Sequence, residues 1–407
     1  MEYSYAAFAI PAFFIFLALE YVAAKRKNRT DIYKYESSVA NLSIGLAERL
    51  LNLFISVSFY QLFCYVYKNF AIFDIPDNWW VWAILLLATD LVWYWYHRLG
   101  HEINLFWGAH IVHHQSEEFN YTVSARITTI QAIVRNVFWC ILPLAGFHPL
   151  MVMSILVIHG AYSFFTHTQL VKAPQWLEYI FVTPSIHGVH HASNEKYLNK
   201  NYGDLFVFWD KLFGTFEKEE EKPVYGLTHP LNSYSFMWQH FHYYMEMAEA
   251  CRRTNGLWNK LKIIFGDPAI LDQDIRASLE ERFLPHKHEN NPIRKRSFKV
   301  YLNIQVLAVA SLLFLVTYFF GDLDFAEKFF SSAFILITLI NCGALLEQRR
   351  WIFYLEIIRL LLLTGYISLL FDTYLLLALS ASTIFLLTLT QPVQQWYLKT
   401  VYSANDK

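Results

Sequence analysis

Long apolar stretches constrain the fold of this 407-residue chain more than any other feature of its sequence. A helix that crosses the hydrocarbon core of a bilayer needs about 20 mostly apolar residues. Nine such stretches are present, at about 5–24, 40–66, 79–97, 128–146, 149–167, 301–320, 329–347, 352–371 and 374–393. Hydrophobic residues make up 55% of the chain and charged residues only 16%. We therefore predict an all-α polytopic membrane protein with about nine transmembrane helices.

Basic residues between these stretches predict the orientation of the chain. They cluster at 25–29, 294–296 and 349–350, and basic loops favour the cytoplasmic side of a membrane. With nine spans, all three clusters lie inside if the N-terminus is outside and the C-terminus is inside. The histidine-rich loops then also lie on the cytoplasmic side.

The long polar region between the fifth and sixth spans suggests a division into two domains. The first, 1–290, contains five spans and a cytoplasmic helical cap at 168–290. The second, 291–407, is a C-terminal domain of four transmembrane helices with almost no histidine. A polar linker at 284–296 separates them.

Charge and cysteine content exclude several other kinds of function. The net charge is −1, so we expect no nucleic-acid partner. The four cysteines, Cys64, Cys140, Cys251 and Cys342, are far apart and form no C-x-x-C pair. That distribution is typical of neither a disulfide framework nor an iron–sulfur site.

Three histidine clusters lie close to the predicted ends of spans. On a helix, residues three and four apart share a face, so each cluster can aim two or three imidazoles at one point. Neutral imidazole is a good ligand for iron, copper, zinc or nickel. The clusters are HRLGH with His97 and His101, HIVHH with His110, His113 and His114, and HGVHH with His187, His190 and His191.

The predicted topology brings these clusters to one side of the membrane. The hairpin of spans four and five returns the chain to that side, and His167 at its end is a ninth candidate ligand. One tetrahedral metal takes only four ligands. Eight or nine imidazoles suit two metals a few ångströms apart, each with an open position for oxygen or water. One such cluster alone arises easily by chance, but three on one side predict a metal centre.

Two acidic residues are candidate catalytic groups. Asp90 lies on the same helical stripe as His97, and an acid inside a span needs a buried partner, either an imidazole N–H or a group on another helix. Glu102 adjoins His101, where it can orient a ligand or transfer protons, or remain a solvated loop charge. His159, on the face of His167, suits support of the metal site and helix packing equally well.

The order and spacing of the three clusters resemble the fatty acid hydroxylase/sterol desaturase superfamily of membrane di-iron oxygenases. Within it, the phrases YHRLGHEINLFWGAHIVHHQSEEFNYTVSAR, TPSIHGVHHASN and NYGDLFVFWDKLFGTFEKE resemble the alkylglycerol monooxygenase family, over about residues 80–245. The resemblance implies two iron ions held by the eight cluster histidines, with His167 as a contributor. It also implies molecular oxygen as co-substrate and a membrane lipid as substrate, hydroxylated at the ether-linked carbon of an alkylglycerol.

The electrons for such a reaction must come from outside the chain, because no nucleotide-binding glycine motif is present. The resemblance implies tetrahydrobiopterin; another external reductant or a redox protein is the alternative. A sterol desaturase or fatty acid hydroxylase of the same superfamily is the second hypothesis for function, since the cluster spacing does not separate these enzymes. A metal transporter is a remote third, because transporters bind their ions near the bilayer midplane. The sequence does not determine the oligomeric state.

Overall fold

The computed structural model describes residues 4–284, 296–371, 373–388 and 391–402, and this part of the chain is helical without any β-strand. Short 3₁₀ turns at Tyr5–Phe8, Thr30–Ile32, Gln175–Tyr179, Glu195–Tyr197 and Pro268–Ile270 link some of the helices. The helices are α1 Ala9–Arg26, α2 Tyr35–Phe70, α3 Trp79–Glu102, α4 Asn104–His114, α5 Tyr121–Ser124, α6 Thr129–Trp139, α7 Ile141–Ala145, α8 Pro149–Thr166, α9 Pro184–His190, α10 Phe208–Phe213, α11 Phe236–Arg253, α12 Leu257–Phe265, α13 Gln273–Phe283, α14 Arg296–Tyr318, α15 Phe325–Leu346, α16 Ile352–Leu370, α17 Tyr374–Thr388 and α18 Gln391–Tyr402.

Six helices of the described residues are long and apolar enough to cross a membrane: Tyr5–Arg26, Tyr35–Phe70, Pro149–Thr166, Arg296–Tyr318, Phe325–Leu346 and Ile352–Leu370. A seventh crossing exists if α17 and α18, bent by 86°, form one span. The protein is therefore an integral membrane protein, but the predicted count of nine is not confirmed. Helix α3 has 24 residues, yet its tryptophans, tyrosines and Asp90 lower its hydropathy. The predicted fourth span is interrupted at Cys140 and continues as the short helix α7.

Helix α2 is longer than a bilayer requires. Its 36 residues extend about 54 Å at 1.5 Å per residue, whereas the hydrocarbon core is about 30 Å thick. The polar residues that interrupt its apolar pattern lie in the N-terminal half, where Asn41 and Glu48 are buried. Asn41 donates hydrogen bonds to Ser116 and Thr122. This half of α2 therefore packs against the histidine-bearing region.

Several helix ends lie together on the side of the molecule that carries the histidine clusters. Lys27, just after α1, donates to the carbonyl of Leu170, just after α8. Tyr35 at the start of α2 donates to the carbonyl of Lys299 near the start of α14. Arg349 pairs with Glu347, which accepts from the backbone N–H of Ser235 at the start of α11. Residues 294 and 295 of the third basic cluster lie outside the described residues.

The two predicted domains share one hydrophobic core. It joins residues of α2, α4 and α11 to residues of α14, α15 and α16, among them Leu50, Val112 and Leu339. Gly343 allows this close packing, because a Cβ atom there would lie 2.6 Å from the carbonyl oxygen of Tyr234. The predicted boundary at 290/291 and most of the predicted linker lie outside the described residues.

Candidate metal centre

Local helix geometry positions the nine candidate histidines. His97 and His101 lie in the last turns of α3, and the second cluster ends α4, which starts directly after Ile103. His167 caps the C-terminus of α8. The third cluster lies on and directly after α9, which begins at an N-capping Thr183 followed by Pro184, a residue suited to the first helical position.

All nine imidazoles converge in two adjacent groups in which the candidate ligand atoms lie within 4.8 Å of one another. Group one contains His97, His101, His110, His114 and His190. Group two contains His113, His167, His187 and His191. The groups are neighbours, since the His114 and His191 rings stack with their centroids 4.4 Å apart.

Each five-residue cluster H-x-x-H-H contributes to both groups, which the sequence analysis did not anticipate. His110 and His114 belong to group one, but His113 belongs to group two. In the third cluster the arrangement is reversed: His187 and His191 are in group two and His190 is in group one. An α-helix turns about 100° per residue, so positions one and five diverge by about 40°, whereas positions four and five diverge by about 100°. Neighbouring histidines therefore point to different centres.

The Nε2 atoms within each group lie at the spacing expected of neighbouring ligands on one metal ion. In group one, His110 Nε2 lies 3.0 Å from His97 Nε2 and 3.1 Å from His114 Nε2. In group two, His167 Nε2 lies 3.2 Å from His113 Nε2 and 3.0 Å from His187 Nε2. Adjacent ligands at about 2.1 Å from one metal and at right angles to each other are about 3.0 Å apart. The donor set thus fits one metal ion in each group.

Backbone carbonyls hold several of these rings in the orientation that metal binding needs. His97 Nδ1 donates to Tyr202 O at 2.8 Å, and His190 Nδ1 donates to Lys200 O at 2.9 Å. His167 Nδ1 donates to Ser163 O at 2.7 Å. A proton on Nδ1 leaves the Nε2 lone pair free for a metal. His190 Nε2 has no hydrogen-bond partner, although its side chain is buried.

Burial keeps these histidines neutral. Burial, followed by the charges of the neighbouring imidazoles, lowers the pKa of His113, His187 and His191 well below the usual range. The rings are therefore unprotonated at neutral pH and available as ligands.

Asp90 holds the loop that orients group one. Its oxygens accept hydrogen bonds from the backbone N–H groups of Leu205 at 2.9 Å and Phe206 at 3.1 Å, and from Trp209 Nε1 at 3.0 Å. The carbonyl that fixes His97 belongs to the same loop. The sequence allowed an imidazole N–H or a group on another helix as the partner of Asp90; Trp209 lies on helix α10, and the His159 imidazole lies 3.7 Å from the carboxylate.

Asp210 holds the other end of this loop. It accepts from the backbone N–H groups of Tyr202 at 2.7 Å and Gly203 at 2.8 Å. The NYGD segment, residues 201–204, is thus held by Asp210 and in turn orients the ring of His97.

His159 and Asp204 form a third buried cluster with Asp90. His159 Nδ1 lies 2.6 Å from the Asp204 carboxylate and 3.7 Å from that of Asp90. Its ring stacks on Trp93, which contacts His97 edge-on. His159 thus supports the metal centre through Trp93 and the loop, and it belongs to neither histidine group.

Arg126 is a supporting residue that sequence reasoning missed. Its guanidinium is buried and donates to the Val112 carbonyl at 2.6 Å, to Asn41 at 2.7 Å, and to the side chains of Gln115 and Gln239. Its own carbonyl accepts from His113 Nδ1. Arg126 therefore links α2, α4 and α11 around group two. The sequence shows one ordinary arginine here, because its partners are distant in the chain.

Glu102 is at the edge of group one. Its carboxylate, with 39% of the side chain exposed, accepts from Arg98 Nε at 2.8 Å. Burial, and then the charge of Glu102, raises the pKa of Tyr202, whose ring centroid lies 5.4 Å from that of His101. Glu102 thus lies near solvent and close to the tyrosine that packs on the metal site.

A cavity of about 600 Å³ opens onto the histidines. His101, His114, His190 and His191 line its inner part, together with Trp107. Residues of α11, of α13 and of the turn at Pro268–Ile270 line the outer part. A small molecule in this cavity can reach both groups.

Comparison with known proteins gives consistent matches. Residues 82–215 match the fatty acid hydroxylase family. The chain is 32% identical to alkylglycerol monooxygenase of Homo sapiens over 359 residues, which cover 87% of this chain and 80% of that protein. It is 30% identical to alkylglycerol monooxygenase of Danio rerio over 364 residues, which again cover 87% of this chain and 80% of that protein. Lathosterol oxidase of Homo sapiens matches at 25% identity over 32% of this chain and 43% of its own length. No solved structure gives a significant match.

Proposed function

This chain belongs to the alkylglycerol monooxygenase family, in the fatty acid hydroxylase superfamily, and we propose that its substrate is a lipid with an alkyl chain ether-linked to glycerol. It is an oxidoreductase of the monooxygenase class. One oxygen atom of O₂ enters the C–H bond beside the ether oxygen, and the other leaves as water with two electrons and two protons from an external donor. The resulting hemiacetal releases a fatty aldehyde and a free glycerol hydroxyl.

The observation that carries this proposal is the convergence of nine neutral imidazoles in two groups. Group one and group two would each hold one iron ion, and bound iron supplies the oxygen activation that side chains alone do not provide. The carbonyls of Tyr202 and Lys200 keep the rings of group one directed inward.

We assign two acidic residues to supporting roles. Glu102, partly exposed, exchanges protons with solvent near His101. Asp90 positions the loop that orients His97. The electron donor is external, with tetrahydrobiopterin as the candidate that the family suggests and a redox protein as the alternative.

The proposed topology keeps nine spans, with the N-terminus outside and the metal site and C-terminus in the cytoplasm. The helix ends beside the histidines carry the basic residues at 25–29 and 349–350, which supports this sidedness. Helix α3 extends about 36 Å, enough to span the hydrocarbon core. We retain the division into 1–290, which carries the metal site, and 291–407, which packs against it.

The extent of similarity separates this function from the alternatives. The two alkylglycerol monooxygenases align with most of the chain, whereas lathosterol oxidase aligns with only a third of it. A metal transporter is disfavoured because the histidines lie at helix ends and in loops.

The test is to purify the protein, quantify its iron by mass spectrometry, and supply alkylglycerol, oxygen and a reduced pterin. We expect two irons per chain and release of fatty aldehyde. His113→Ala should abolish turnover. His148→Asn is the matched control, since His148 is exposed and caps α8, and asparagine retains the cap. Full activity of His113→Ala, or iron-free protein with full activity, would contradict the proposal.

A further inference from the structure

The cavity beside the histidines is apolar near the metal site and charged at its outer end. Trp107, Ile111 and Leu227 give it an apolar wall close to the metal site. His190, with its side chain buried and Nε2 unpartnered, lines the same space and connects the cavity to the reacting centre. The outer wall, built from α11, α13 and the turn before α13, carries most of the charged side chains.

The outer wall is acidic. Among the described residues that line the cavity, the carboxylates are Glu246, Asp267, Asp272 and Glu280, whereas the only lysine or arginine is Arg276. Among these described lining residues, acidic side chains therefore outnumber basic ones. Such a wall lowers the local concentration of anions and favours neutral or cationic groups.

Arg276 is engaged by the protein itself. Arg276 Nε and Nη2 donate to the two carboxylate oxygens of Glu246 at 2.7 and 3.3 Å, and Nη1 donates to the carbonyl oxygen of His229 at 2.9 Å. A guanidinium paired in this way has little capacity to bind a phosphate. Arg276 is therefore not available as the free arginine that recognition of an anionic head group normally requires.

Carboxylates suit a different ligand, because ionised Asp and Glu accept hydrogen bonds and an uncharged polyol donates them. From these features, and resting on the proposed function, we propose that the outer wall is the head-group subsite and selects an uncharged glycerol diol over a head group that ends in a phosphate monoester. The apolar inner wall takes the part of the alkyl chain next to the ether oxygen. The acidic residues of the turn and of α13 are then specificity determinants.

The test compares turnover of 1-O-alkylglycerol and 1-O-alkylglycerol 3-phosphate, measured as kcat/KM from aldehyde release. Asp267→Asn, Asp272→Asn and Glu280→Gln are combined in one variant. Asp267 and Asp272 accept from the backbone N–H groups of Ala269 and Asp274, and asparagine preserves these caps. We expect the kcat/KM for the phosphate lipid, divided by the kcat/KM for the neutral lipid, to rise roughly tenfold in this variant. The reason is that three charges at several ångströms from the phosphate are removed.

The matched control removes three acids that are exposed and do not line the cavity, as Asp274→Asn, Glu281→Gln and Glu195→Gln. This control should leave the ratio unchanged. A second measurement needs no substitution: added salt should raise the ratio in the original protein, because screening weakens the repulsion of the phosphate.

The outcomes separate this inference from the function on which it rests. If neither lipid yields aldehyde, both proposals fail. If the neutral lipid is cleaved but the ratio responds neither to the three substitutions nor to salt, the function stands and the head-group assignment is overturned. An equal rise in the control variant would also overturn it, because the effect would then reflect the overall charge of the cap.

Discussion

Replacement of Asp90 by alanine should weaken iron binding in group one and leave iron binding in group two unchanged. The buried carboxylate accepts three hydrogen bonds from Leu205, Phe206 and Trp209. Hydrogen bonds to a charged group contribute about 1.5–3 kcal/mol each, so their loss costs the loop about 4 kcal/mol or more. Because this loop supplies the carbonyl that orients His97, iron affinity of group one should fall about 10- to 100-fold.

The second group should keep its metal, because its rings depend on other carbonyls. His113 and His167 donate to Arg126 O and Ser163 O, which lie outside the loop that Asp90 holds. Iron titration of the purified Asp90→Ala variant, followed by mass spectrometry, should therefore give one tightly and one weakly bound iron. Asp77→Ala, at the exposed opposite end of α3, is the control and should bind two irons tightly. Two tightly bound irons in Asp90→Ala would refute the positioning role of the loop.

Three further predictions concern residues outside the two groups. Glu102→Gln should lower turnover without changing the iron content. If the variant loses iron in proportion to its loss of turnover, a role of Glu102 in proton transfer is excluded. Arg126→Met should destabilise the protein by about 3–5 kcal/mol and weaken iron binding at group two, since four acceptors lose a buried cation; denaturation in detergent and iron titration measure the two effects. Burial, and then the charge of Arg276, lowers the pKa of His242 to about 3 in the folded protein. Below about pH 6.5 the unfolded chain therefore binds more protons at this residue than the folded chain, and the free energy of unfolding decreases as the pH is lowered. Between pH 6.5 and 5 this group should account for a loss of about 1.6 kcal/mol, which His242→Gln should remove from the pH dependence of unfolding.

The sequence alone determined the helical class, the membrane location and the identity of the nine clustered histidines. Apolar stretches of about 20 residues leave few options other than helices, because a bilayer provides no partners for free backbone groups. Spacings of three and four residues restrict histidines to neighbouring directions on a helix whatever the rest of the chain does. The resemblance of the flanking phrases to a family likewise needs no coordinates.

Only the tertiary structure decided how the histidines divide and what supports them. Helix periodicity makes His113 and His114 diverge, but only the packing of α3, α4, α8 and α9 decides which other histidines each of them meets. Nothing local indicates that Lys200 and Tyr202 orient His190 and His97, because these contacts join segments that are distant in the chain.

The same reason applies to the membrane-spanning part and to the cavity. The sequence predicted a division into 1–290 and 291–407, and only the fold shows that helices of both parts pack together in one hydrophobic core. The acids Asp267, Asp272 and Glu280 look like ordinary surface charges until the fold places them around one cavity. Spacing along a helix fixes the directions of side chains, but only the packing of helices fixes which side chains meet.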